Sequence, residues 1–205
     1  MNYFSKLKIL NGGFTRTPKS LVSGFTLTEL MVVITITTVI MASLVFQQAK
    51  WNDSLAVSTQ AYDLALMVRQ AQTYSLGVKE DKSATSGDKF NIGYGIYFAE
   101  TNLSQYIYFA DRNGNSTYEP SEAIETVPLK RGVTIKDVCG SGANACFPGN
   151  GPLVSVSILF LRPETKAIMS FSPHGNPPVT VTLQSPKGKY YSVKIELNGQ
   201  VSITQ

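Results

Sequence analysis

Hydrophobic and polar positions divide the chain into three stretches with different periods. From Phe25 to Phe46 the residues are apolar for 22 positions, interrupted only by Thr, Ser and the single acid Glu29. A bilayer core takes roughly 20 helical residues, so this run predicts a membrane span, with a buried core helix as the alternative. Its Thr and Ser are compatible with a span because their hydroxyls bond back to helix carbonyls. No Gly or Pro occurs from Phe25 to Leu76, which predicts one continuous helix of about 78 Å. Past the apolar run the pattern becomes amphipathic. Val57, Ala61, Leu64, Val68 and Ala71 form one stripe, with Asp53, Asp63, Arg69 and Gln70 on other faces. The stripe is core, packed on a globular head, and Gly77 is placed to end the helix.

Residues 78–91 are polar and predict a loop. Beyond them the period shifts to two, with strands expected at 93–98, 105–110, 133–138, 153–161, 166–171, 179–184, 189–197 and 200–204. Asn198-Gly199 and Lys187-Gly188 mark hairpin turns. Turns at this spacing indicate antiparallel sheets and not βαβ units. The fold class is therefore α+β, a long N-terminal helix laid on an antiparallel β-rich head. Its expected divisions are 1–24, the helix at 25–77 with 25–46 in the membrane, and the head at 78–205.

Composition supports the division. Charged residues make up 16% of the chain, well below the roughly 25% of an ordinary soluble domain. The net charge of +4 is no sign of a nucleic-acid protein, because it is confined to the start. Residues 1–24 hold four of the 18 basic side chains (Lys6, Lys8, Arg16, Lys19) and none of the 14 acids, leaving the remainder formally neutral. Positive charges ahead of a span keep the N-terminus cytoplasmic and send the head across.

A secretory signal carries its small-residue cleavage site after the apolar segment. Here Ser23-Gly24 precedes it, and the junction reads Ser23-Gly24-Phe25-Thr26-Leu27-Thr28-Glu29. A carboxylate at a membrane edge is costly, so Glu29 calls for a partner; snorkelling to the interface is the plainer alternative. Cutting after Gly24 would free an α-amine on Phe25 that could fill the role, in this chain or a neighbouring copy.

Gly24-Phe25-Thr26-Leu27-Thr28-Glu29-Leu30 followed by an apolar run resembles the class III signal of type IV prepilins and type II secretion pseudopilins. The resemblance implies a pilin-like fold and cleavage after Gly24 by a prepilin peptidase. It also implies N-methylation of Phe25, and pairing of Glu29 with the amine of an adjacent subunit during assembly. Gly13-Phe14-Thr15 repeats the local letters, but Pro18 stands where the Glu is needed and no apolar run follows. Major pilins often carry a Pro halfway down this helix; none is present, so no kink is expected.

Three head segments resemble the GspH/FimT group of minor pilins and pseudopilins: Gly93–Phe98, Phe109–Asn115 and Ser170–Gly175. The implied function is that of a minor type IV pilin, or of a type II secretion pseudopilin, with other pilins or pseudopilins, the peptidase and the inner membrane as partners. The implied location is the inner membrane, single-pass with a periplasmic head, and then the fibre. DNA-capturing members of the group carry a Gly-Arg-x-Arg element near the C-terminus. The matching stretch, Gly199-Gln200-Val201-Ser202, lacks both arginines, so weak or no nucleic-acid binding is expected. Lys187 and Lys189 beside Tyr190 and Tyr191 form the one basic and aromatic patch that could contribute, with a solvated hairpin tip as the plainer reading.

Cys139 and Cys146 bracket a short flexible loop and, in an oxidising compartment, are expected to bridge; two free thiols are the alternative. Zinc would need further ligands, and the only His is His174. Asp111, Asn113, Asn115, Thr117, Glu119 and Glu122 have calcium-loop spacing, but Ser116 sits where such a loop needs Gly. A plain Asx-rich turn is the expectation, with calcium as the alternative. No metal or cofactor is expected. With no nucleophile elbow, phosphate loop or supported carboxylate pair, neither is an enzyme.

Overall fold

The computed structural model describes residues 24–77, 92–142, 145–149 and 151–205. The expected loop at 78–91 and all but the last residue of the 1–24 leader lie outside them. The chain forms two compact units, Met1–Leu44 and Val45–Gln205, and the helix α1 (Leu27–Leu76) runs through both.

In the first unit every residue from Gly24 to Leu44 is exposed. An 18-residue window of α1 has a mean hydropathy of 2.2 and none of it is buried, as a soluble core helix would be. Threonine does not break the helix here. Thr35 donates to the Val32 carbonyl (2.8 Å) and Thr38 to that of Ile34 (2.6 Å), so their hydroxyls are satisfied without water.

The second unit sets the rest of α1 against two five-stranded antiparallel sheets. The strands are β1 (Gly93–Ala99), β2 (Gln105–Asp111), β3 (Ala123–Pro128), β4 (Thr134–Ser141), β5 (Cys146–Phe147), β6 (Ser155–Phe160), β7 (Ala167–Ser172), β8 (Asn176–Gln184), β9 (Tyr190–Ile195) and β10 (Val201–Thr204). They are ordered β3-β2-β1-β6-β7 and β10-β9-β8-β4-β5. All eight expected strands are present, with ends displaced by at most three residues.

Val57, Ala61, Leu64, Val68 and Ala71 are fully buried, the stripe that the periodicity requires. They share one core with Tyr94, Ile96 and Phe98 of β1, Tyr106 and Tyr108 of β2, and Val181 and Leu183 of β8. Polar ties fix the helix along its length. The Gln60 side chain accepts the Lys130 N–H (3.0 Å), and the Ser75 hydroxyl accepts the Tyr94 N–H (3.0 Å). Asp53, expected on another face, is instead buried on the core side, one turn before Val57, and accepts from the Ser185 hydroxyl (2.6 Å). Gln72 donates to the Gly199 carbonyl in the β9–β10 turn.

Candidate functional site

The site begins at the start of α1. Gly24 and Phe25 precede the helix; nothing lies within 4 Å of a side chain that would replace the Gly24 hydrogen, and Phe25 is 82% exposed. No other described residue covers the Gly24-Phe25 junction, where the sequence predicts cleavage. Thr26 caps the helix. Its hydroxyl accepts the Glu29 N–H (3.2 Å), and its carbonyl accepts the first helical bond from Leu30 (3.1 Å). The cap went unrecognised in the sequence, although Thr26-x-x-Glu29 is its usual spacing. Glu29 stands in the first turn, exposed, the only acid in the apolar run. Its carboxylate makes no bond to another described residue. Among the described residues the segment thus offers an exposed acid that makes no bond, and an exposed Gly24-Phe25 pair two residues ahead of the helix.

The calcium-type spacing resolves into a turn built on carboxylates. Asp111 Oδ1 accepts from the N–H groups of Gly114 (2.8 Å) and Asn115 (3.2 Å), and its Oδ2 from that of Ser116 (2.9 Å). Glu122 Oε1 takes Arg112 and Asn113, and Oε2 takes Glu119. Both acids are buried. Ser116 adopts a left-handed φ of 61°, where glycine would be expected. Among the described residues no three His, Cys, Asp or Glu side chains gather as a metal site. The turn folds over the outer face of the first sheet. Tyr118 stacks on Tyr97 (4.2 Å between ring centres) and meets Phe109 edge-on (5.4 Å), and the Ser170 hydroxyl donates to the Ser116 carbonyl.

Cys139 and Cys146 face each other across β4 and β5 and are joined by a disulfide, which fastens the two-residue edge strand. His174 is exposed between β7 and β8. In the C-terminal patch, Lys194 pairs with Glu196 (2.6 Å), and the Tyr190 ring has Lys136 over it (5.1 Å). Gly199 takes a left-handed turn against α1.

Burial of β2 leaves one group without a partner. The Tyr108 hydroxyl is the only buried side-chain oxygen or nitrogen lacking a hydrogen bond among the described residues. Burial, then the neighbouring Tyr94 and Tyr74 rings and Glu125, pushes this phenol far above its ordinary value. Burial, with Asp63 and Glu125, does the same to Tyr106.

In the comparison with known families, residues 19–45 match the family described as the prokaryotic N-terminal methylation motif. Neither the curated proteins nor the solved structures contain a match to the chain. The motif supports a type IV pilin-like protein, pilin or pseudopilin, and points to a structural role rather than an enzymatic one. Together with the apolar N-terminal helix it suggests anchoring in a membrane, and the long helix packed on antiparallel sheets is consistent with a pilin fold.

Proposed function

We propose that the chain is a minor type IV pilin of the GspH/FimT kind. The precursor enters the inner membrane with residues 1–24 cytoplasmic and the head periplasmic. A prepilin peptidase cuts between Gly24 and Phe25, the new Phe25 terminus is methylated, and the subunit joins the fibre. The observation that carries this reading is Glu29: an acid in the first turn of an exposed apolar helix, without a bond to any other described residue and inside a matched methylation motif. In a low-dielectric bundle its carboxylate neutralises the terminal amine of a neighbouring subunit, and the attraction is strong because little water screens it. A second apolar stripe supports assembly. Leu55, Tyr62 and Leu66 are exposed on the side of α1 opposite the core stripe, an apolar face of the kind that subunit contacts bury.

Assembly is tested by Glu29→Ala in the native host. The variant is expected to be cleaved normally, yet to be absent from the sheared pilus fraction that contains the unchanged protein. Normal incorporation of the variant would remove the assembly role of Glu29. If the unchanged protein is missing from pili while its loss blocks protein secretion, the chain is a type II secretion pseudopilin instead.

A further inference from the structure

Neither the N-terminal segment nor assembly uses the outer face of the first sheet, which changes character along its strands. Part of it is apolar, where Phe109 and Leu159 are fully buried and the Tyr118 ring meets Phe109. Further along, β6 and β7 present hydroxyls instead. Ser157 pairs with Ser170 and Ser155 with Ser172 across these two strands, and Tyr97 of β1 pairs with Ser157 from the other side. Directly paired residues point to one face with Cβ atoms about 5 Å apart, so four hydroxyls form a single patch beside a ring.

An ordinary solvated strand face would carry such serines, but this patch is partly roofed. The turn after β2 crosses it: the Ser170 hydroxyl donates to the Ser116 carbonyl (3.1 Å), and Tyr118 stacks on Tyr97. A cavity of about 260 Å³ is lined by all four serines and both of these rings. Ser157 is only 4% exposed, yet its hydroxyl bonds to no other described residue. A buried hydroxyl needs a partner, and here that place is left to whatever enters the cavity. Tyr97 also lines a second cavity of about 240 Å³, together with Thr101, Asn102 and Gln105.

The lining chemistry identifies the ligand class. None of the residues lining either cavity carries a charge at neutral pH, so an ionic ligand would lose its hydration without meeting a counter-charge. A hydroxyl both donates and accepts, and a cluster of them suits a ligand that does the same at many positions. Tyrosine rings add the flat apolar surface that the C–H face of a sugar ring covers. Each cavity falls just below the about 300–1,000 Å³ of drug-sized pockets, so each suits a single sugar ring, and the shared Tyr97 joins the two places. We propose that the outer face of the first sheet binds a neutral oligosaccharide, with Ser155, Ser157 and Ser172 bonding its hydroxyls and Tyr97 and Tyr118 lying against its rings. The site needs the second unit alone, and it stands or falls apart from the roles given to Gly24, Phe25 and Glu29.

The full chain, solubilised in a detergent without a sugar headgroup, is applied to a printed array of neutral glycans built from glucose, galactose, mannose and N-acetylglucosamine, with sialylated and uronic-acid glycans alongside. Binding to at least one neutral glycan is expected, and raising salt to about 1 M should leave it unchanged, because no ion pair is involved. The combined Ser155→Ala, Ser157→Ala and Ser172→Ala chain should bind the same glycan about tenfold or more weakly. Its near-UV circular dichroism should match the parent's, since none of the three hydroxyls bonds to another described residue. If the triple variant loses that spectrum, Ser157→Ala alone decides, with an expected weakening of about threefold or more. No binding to any neutral glycan on the array overturns the site, as does binding that the folded variants retain in full. Binding confined to the acidic glycans and lost at high salt overturns it too, because a lining without charge does not produce it.

Discussion

Tyr108→Phe should make this protein more stable, and increasingly so as the solution is made alkaline. The substitution keeps the ring, which stacks near Tyr94 with centres 6.1 Å apart, and removes a buried hydroxyl that has no partner among the described residues. An unsatisfied buried polar group costs about 1–3 kcal/mol, so a gain of about 1 kcal/mol is expected at neutral pH. For a chain of 205 residues that raises Tm by about 2–4 °C. The pH dependence has a fixed sign. In the unfolded chain both phenols titrate near the ordinary value of 10.0, whereas in the fold burial keeps Tyr106 and Tyr108 protonated well above it. Above pH 10 the unfolded state therefore binds fewer protons than the folded one, and stability falls by about 1.4 kcal/mol per pH unit for each phenol. The variant loses one of the two slopes, so its advantage should widen to about 2 kcal/mol at pH 11. Urea titrations of the detergent-solubilised full chain at pH 8 and pH 11, followed by near-UV circular dichroism, would measure both quantities. A variant less stable than the parent at pH 8, or an advantage that does not grow between the two pH values, would refute the reasoning.

Two other perturbations probe the head. Reducing the Cys139–Cys146 bridge, which spans a sequence separation of seven, should lower stability by about 2–3 kcal/mol and free β5. Thermal unfolding with and without reductant measures the loss, and identical curves would show that the bridge contributes nothing. Gly95→Ala should destabilise by about 2–3 kcal/mol or more, because the new Cβ would stand 2.5 Å from the Ile158 carbonyl and 2.8 Å from the Phe109 ring. A melting temperature equal to the parent's would mean that β1 and β6 can separate at little cost.

The helix was legible because its period is imposed by a local rule. A helix lying on a sheet must bury one stripe, and Val57, Ala61, Leu64, Val68 and Ala71 are all fully buried. The two strands not anticipated have no such period. In β3 only Val127 is partly buried, because an edge strand is held by backbone pairing with β2, and β5 is two residues long. In the Gly24–Glu29 segment the order was visible, a small residue before an apolar run and an acid just inside it, but the roles of these residues follow only from the resemblance to prepilin signals. The Thr26 cap was readable and missed. Neither the bare Tyr108 hydroxyl nor the packing of Gly132 against the Pro186 ring could be foreseen. Alternation along β2 shows that a ring is buried but not whether its oxygen finds a donor. Turns more than fifty residues apart are brought together only by tertiary structure.

The most direct test of the account is the intact mass of the protein extracted from membranes of its native host. The expected mass is that of residues 25–205 plus one methyl group, placed by fragmentation on the Phe25 amine, with the Cys139–Cys146 bridge intact. Retention of Met1, or a new terminus beyond Phe46 as an ordinary secretory signal would leave, would contradict the reading of Gly24, Phe25 and Glu29 on which assembly depends.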